Sequence, residues 1–118
     1  MKVVYVCSPL KGDVETNIEN AKKFCEYVMK ECGAIPIAPH IYFTQFLDDS
    51  IPEDREMALK AGKELLHKCD ELWCFGENIT PGMLDEMFFA KVHLAKINHI
   101  SDEQVEKILN KEGFIHAL

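Results

Sequence analysis

The heptad Thr80-Pro81-Gly82-Met83-Leu84-Asp85-Glu86 has the residue types and spacing to do chemistry. Thr80 is placed to cap a helix, Pro81 fits its first position, and Gly82 leaves the N–H groups of the first turn open to an anion. Glu86 falls one turn further in, on the line Met83, Glu86, Ala90, His93, at the edge of an apolar stripe set by Leu84, Met87, Phe88 and Leu94. A carboxylate so placed is partly desolvated, which raises its pKa while the helix N-terminus opposes the rise. That makes Glu86 a candidate for chemistry. The alternative is that acidic residues here merely favour the helix dipole, which suits Asp85, facing away, better than Glu86.

A second loop, Ser8-Pro9-Leu10-Lys11-Gly12, matches neither a Gly-x-Gly-x-x-Gly fingerprint nor a Walker loop. It can hold a single phosphate through backbone N–H groups with Lys11 beside them, or be a plain strand-to-helix turn. His40 points toward the same cleft and reads first as a hydrogen-bonded wall residue. Arg55 and Glu56 read as a solvated first helical turn, and Asp70 and Trp73 as turn and core residues. The five histidines and five cysteines show no ligand spacing, so neither a metal nor another cofactor is expected. Cys25 and Cys32, seven apart on one helical face, read as small core hydrophobes.

The elements that position these groups follow from pattern and punctuation. Val3-Val4-Tyr5-Val6-Cys7 is a continuous run suited to a strand buried on both faces. A helix capped by Asp13 or Thr16 follows, with apolar residues from Val14 to Cys32 at helical spacing, and Gly33 ends it. Ala34 to Ala38 reads as a second strand, with Pro36 favouring a sheet edge. Pro39 to Ser50 reads as an irregular, aromatic-rich loop, an active-site wall or a subunit interface. Ser50-x-x-Glu53 starts a helix to about His67 that buries Ala58, Ala61, Gly62, Leu65 and Leu66. Glu71 to Phe75 is a third strand, Thr80 to about Lys96 a helix, and Ile97 to Ile100 a short strand. Ser101 caps a last helix that Gly113 stops.

Strand and helix alternate throughout. The expected fold is α/β, a three-layer sandwich with a mainly parallel four- to five-stranded sheet and helices on both faces, Rossmann-like or flavodoxin-like. Ligands in such folds bind at the carboxyl ends of the strands, which selects the loops Ser8 to Asp13, Pro39 to Asp49 and Gly76 to Gly82. With 118 residues, 47% hydrophobic and 28% charged, one domain spans 1–118, its core about 2–100 and a C-terminal helix and tail at 101–118. A net charge of −7 argues against a nucleic-acid polymer or an acidic membrane surface as partner. No run is long enough for a signal peptide or membrane span, and the unpaired, odd cysteine count suits a reducing cytoplasm.

Three segments together resemble the nucleoside 2-deoxyribosyltransferase superfamily: Val4 through Gly12, the strand after Asp70, and Thr80-x-Gly82-x-x-x-Glu86-x-x-x-Ala90. The similarity runs from about Lys2 to Ile100. The nearest known chemistry within it is that of the 2′-deoxynucleoside 5′-monophosphate N-glycosidases. Closer still are small uncharacterised bacterial and phage proteins sharing Ala38-Pro39-His40, Gln45 to Asp49, Asp70 to Trp73 and Phe75-Gly76. The resemblance implies cleavage or transfer of the N-glycosidic bond of a (deoxy)nucleoside or its 5′-monophosphate. Glu86 matches the nucleophile, which attacks the anomeric carbon and forms a covalent glycosyl-enzyme that water or a second base resolves. Thr80 matches a serine that contacts the 5′-phosphate, and Ser8 to Gly12 the first ligand loop. Ser8, Pro9, Leu10, Lys11, Gly12, His40, Asp49, Thr80, Gly82 and Met83 are then the expected substrate-binding residues. A homodimer or larger homo-oligomer is implied as well.

Two positions depart from the family pattern. Gly62 stands where active members place an aspartate near the leaving base, leaving Asp48, Asp49 or His40 as candidate donors. A mid-helix glycine also suggests close packing or a ligand pressed against the helix. Ser8 stands where the family often has glycine. Gly62 equally fits a chain that keeps the pocket without the chemistry, a nucleotide-binding module. An α/β domain acting only through protein contacts, by its aromatic loop and Phe114-Ile115, is the third reading.

Overall fold

The computed structural model describes residues 1–93 and 95–110. Val3–Cys7 forms β1, with Val4 and Val6 turned to one face and Tyr5 and Cys7 to the other, all four buried. Burial on both sides explains why the run is continuously apolar. Helix α1, Val14–Lys30, is capped by Asp13, whose carboxylate accepts from the Thr16 N–H at 3.2 Å and its hydroxyl at 2.8 Å. Past its end Gly33 takes φ +63°, and the Ala34 N–H returns to the Val28 carbonyl at 3.1 Å.

Strand β2, Ile35–Ile37, lies at the sheet edge, where Pro36 removes no second ladder bond. The stretch expected to be irregular contains a short helix α2, Pro39–Tyr42, and a 3-10 turn, Phe43–Gln45. Pro39 suits a first helical position, and the Thr44 hydroxyl bonds the His40 and Ile41 carbonyls at 2.8 and 3.0 Å. The next helix, α3, Pro52–His67, does not use Ser50 as its cap. Ser50 instead gives its N–H and hydroxyl to Asp48, at 2.9 and 2.6 Å, and Ile51 occupies the cap position.

Strand β3, Glu71–Phe75, is buried throughout, and Trp73 donates its ring N–H to Glu71 at 2.9 Å. Asp70 accepts from the Val3 N–H at 2.8 Å, a link between strand ends. Helix α4 spans Pro81–Val92, four residues short of the expected end, because Lys96–Ile100 is taken up as β4 and pairs residue by residue with β3. Helix α5, Asp102–Asn110, starts at Ser101, whose hydroxyl oxygen accepts from the Gln104 N–H at 3.2 Å. Gly113 and Phe114-Ile115 lie outside the described residues.

The four strands are all parallel in the order β2-β1-β3-β4. Side chains of α1 and α5 pack on one face around Val4, Val6, Trp73 and Phe75. Those of α3 and α4 pack on the other around Tyr5, Cys7, Leu72 and Cys74. The result is a three-layer α/β sandwich whose strand order switches between β1 and β3, so the crevice opens at the carboxyl ends of those two strands. No helix among the described residues is long and apolar enough to cross a membrane.

Candidate active site

Helix α4 determines where the carboxylate goes, and its rotation differs from the sequence reading. Leu84 and Phe88 are 61% and 67% exposed, whereas Met83 and Ala90 are 1% exposed. Of the expected inward stripe, Leu84 and Phe88 therefore face out while Met87 packs inward beside Met83 and Ala90, and Leu94 lies outside the described residues. Apolar residues surround this helix, so their spacing does not select a face; contact with β1 and β3 does. The turn that buries Met83 and Ala90 carries Glu86 inward, to the centre of the packed face rather than its edge.

Above that face opens a cavity of about 410 Å³, in the range of small-molecule sites. Its walls come from the loop after β1, from α2 and the segment behind it, from α3, and from the first turns of α4. Glu86 accepts a hydrogen bond from the Tyr5 hydroxyl on Oε2, and the Cys7 thiol lies 3.6 Å from Oε1. Tyr5 and Cys7 are two apart on β1, so the strand's alternation turns both toward the same carboxylate.

Burial pushes Glu86 up to about 7; the Tyr5 and Cys7 hydrogen bonds hold it down and neighbouring Asp85 adds to the rise. Burial, and then the Glu86 charge, push the Tyr5 phenol well above its ordinary value, so it remains a donor. His40 meets the Ser8 hydroxyl at 2.9 Å through Nε2, and burial pulls it down to about 4, leaving the ring neutral at pH 7.

The cavity brings together ten of the positions singled out in the sequence: Ser8, Leu10, Lys11, Gly12, His40, Asp49, Thr80, Gly82, Met83 and Glu86. Gly12 adopts φ +97°, a conformation that a side-chain-bearing residue rarely takes, and this shapes the loop beside Lys11. Thr80 accepts from the Met83 N–H at 3.2 Å as the helix cap. Pro9 is not among them. It lines a smaller cavity of about 160 Å³ with Asn17, Phe24, Gly76 and Asp102, because it turns to the α1 and α5 face. Asp48 is engaged with Ser50 and does not line the larger cavity.

Arg55 departs from the solvated reading: it lines the cavity and pairs with Asp49 at 3.5 Å, while Glu56 is exposed as expected. Lys63 pairs with Asp85 at 3.3 Å. Gly62 lines the cavity but not through tight packing. A Cβ there would meet the Tyr5 hydroxyl at 3.7 Å and Pro39 Cβ at 4.0 Å, ordinary contact distances. Sequence reasoning passed over Tyr5 and Phe43 as site residues. A phenol in a doubly buried strand needs a hydrogen-bond partner, and that was the available signal for Tyr5. Among the described residues no group of three His, Cys, Asp or Glu side chains is placed to hold a metal ion.

Fold and cavity together define an α/β protein of the doubly wound class with a small-molecule-sized site at its switch point. Residues 2–100 match the model of a family described as a domain of unknown function, DUF7768, and the chain belongs to that family. No curated protein matches it. Among solved structures it is similar to the 2-deoxyribosyltransferase of the psychrotolerant bacterium Bacillus psychrosaccharolyticus. The TM-score is 0.67 at 18% identity, over 84% of this chain and 72% of that one, a likeness of fold.

Proposed function

We propose that this chain cleaves or transfers the N-glycosidic bond of a (deoxy)nucleoside or its 5′-monophosphate, with Glu86 as the nucleophile. One observation carries the reading: a carboxylate withdrawn from water at the base of the cavity, held by a phenol and a thiol rather than by a cation. Tyr5 fixes Oε2, and a thiol is a weak donor, so Oε1 keeps the electron density needed to attack an anomeric carbon. The N-terminus of α4, with the Thr80 hydroxyl and the Gly82 N–H, and the Lys11-Gly12 loop can take an anionic 5′ group. The fold likeness to a 2-deoxyribosyltransferase supports the same substrate class. Exposed Tyr42, Phe46, Leu84 and Phe88 support self-association as a homodimer or larger assembly, and five free cysteines support a reducing cytoplasm.

The test is base release, followed by chromatography, from a panel of ribo- and deoxyribonucleosides and their 5′-monophosphates. Wild type is expected to release base, and Glu86→Gln to lower kcat at least about 10³-fold. Equal turnover by the two proteins overturns the role of Glu86. A second reading rests on Gly62, which leaves the cavity without an acidic group at that point: a catalytically inactive module that binds a nucleotide-derived ligand. Ligand-induced thermal shift without base release would favour it.

A further inference from the structure

When an N-glycosidic bond breaks, its electron pair stays on the ring nitrogen. A neutral base then departs as an anion unless a side chain supplies a proton, and a placed general acid is worth about 10² to 10⁴ in rate. Among the described residues that line this cavity, Lys11 sits on the loop that can take the anionic 5′ group, and the other titratable groups are each engaged otherwise. Arg55 holds Asp49 and Lys63 holds Asp85, at 3.5 and 3.3 Å. Asp54 accepts from the Asp48 N–H at 2.9 Å and stands eight residues before Gly62 on α3, roughly 12 Å along the helix axis.

His40 is neutral at pH 7, with its Nε2 on Ser8, and the Tyr5 hydroxyl is committed to Glu86. Glu86 itself must be ionised to attack. At Gly62 the wall has room for a side chain, with neighbours at 3.7 and 4.0 Å from a built Cβ, and carries none. Phe43 and Leu47 continue the lining as apolar surface, and an aromatic face attracts a cationic ring.

We propose that this site selects nucleosides or nucleotides whose base is already positively charged, such as an N-glycosylated pyridinium or an N7-alkylated purine. The inference rests on the glycosidic reading of the cavity and narrows it. Glu86 Oε1 forms the bond to the anomeric carbon as the carbon–nitrogen bond breaks. The released electron pair neutralises the base, which leaves without a proton. Water then adds to the same carbon, the ester carbon–oxygen bond breaks, Glu86 returns as a carboxylate, and the surplus proton goes to solvent. Hydrolysis thus liberates one proton per base.

The experiment compares nicotinamide riboside, its 5′-monophosphate and 7-methylguanosine with adenosine, guanosine, their deoxy forms and their 5′-monophosphates. The full chain is used as wild type, Glu86→Gln, Gly62→Asp and Gly62→Asn, with free base read by chromatography and proton release in weak buffer. Wild type is expected to cleave the charged-base substrates with kcat/KM at least about 100-fold above any neutral-base one. Gly62→Asp is expected to raise neutral-base cleavage about tenfold or more above Gly62→Asn, which adds the same bulk without an acidic proton. Neutral bases released as fast as charged ones, and only with Glu86 present, overturn the selectivity and keep the glycosidic reading. A folded Gly62→Asp that cleaves neutral-base substrates no faster than Gly62→Asn also counts against the selectivity. Release from no substrate overturns the glycosidic reading and the selectivity together.

Discussion

The two faces of β1 are made from the same five residues and lead to different kinds of interior. On the α1 and α5 side, Val4 and Val6 meet Phe24, Val28, Phe75 and Ile108, and the Phe24 and Phe75 rings stack at 4.5 Å. On the α3 and α4 side, Tyr5 and Cys7 meet Leu66, Met83 and Ala90, and direct a hydroxyl and a thiol at Glu86. The first face stabilises by burying hydrocarbon. The second gives up part of that gain to keep an ionisable group out of water, where its charge and geometry can be used. A strand buried on both sides allows this division of labour because its side chains alternate.

The largest expected effect would sharpen the contrast from the hydrocarbon side. Phe24→Ala removes a stacked, buried ring and is expected to cost about 3 to 5 kcal/mol of stability, with the same loss at pH 5 and pH 8. Denaturant melts at both pH values check it, and a loss that varied with pH would break the distinction between the faces.

The next effect belongs to the other face and depends on pH. Glu86 is raised by burial from an ordinary 4.5 to about 7, so between those values the folded chain keeps a proton that the unfolded chain has lost. Its stabilising contribution is complete below about 4.5 and is lost as pH rises through about 7. Glu86→Gln has no such loss. It is expected to gain on wild type across that window, by roughly 3 kcal/mol above it, while losing turnover. Parallel melts of the two proteins from pH 4 to pH 8 measure this, and a constant difference would mean that Glu86 is not held in its protonated form.

A smaller effect tests the contact between strand and helix. Tyr5→Phe removes the phenol hydrogen bond that holds the Glu86 pKa down. The alkaline rise in kcat is expected to move up by about one pH unit from a midpoint near 7. An unmoved midpoint would show that Tyr5 does not tune the carboxylate.

Much of the fold was legible in the chain. The run from Val3 to Cys7, the edge strand at Pro36, the Thr80 cap and the strand from Glu71 to Phe75 all sit where local pattern put them. Local pattern failed where two local solutions compete. Ser50 resembles a helix cap, but an aspartate two residues earlier bonds it instead. The aromatic stretch after Pro39 gave no helical period, yet it coils because its rings pack on one another at 5.2 to 6.1 Å.

The sequence alone determined the order of elements, the loops at the carboxyl ends of the strands, and Glu86 as the carboxylate to watch, since caps, strand runs and turn residues act over a few positions. Tertiary structure decided the rotation of α4, the side to which Pro9 turns, Arg55 at the cavity wall, and Tyr5 as the partner of a glutamate 81 residues away. A helix apolar on every side has no preferred face until a sheet is laid against it, and a hydrogen bond across that interface exists only once the layers have met.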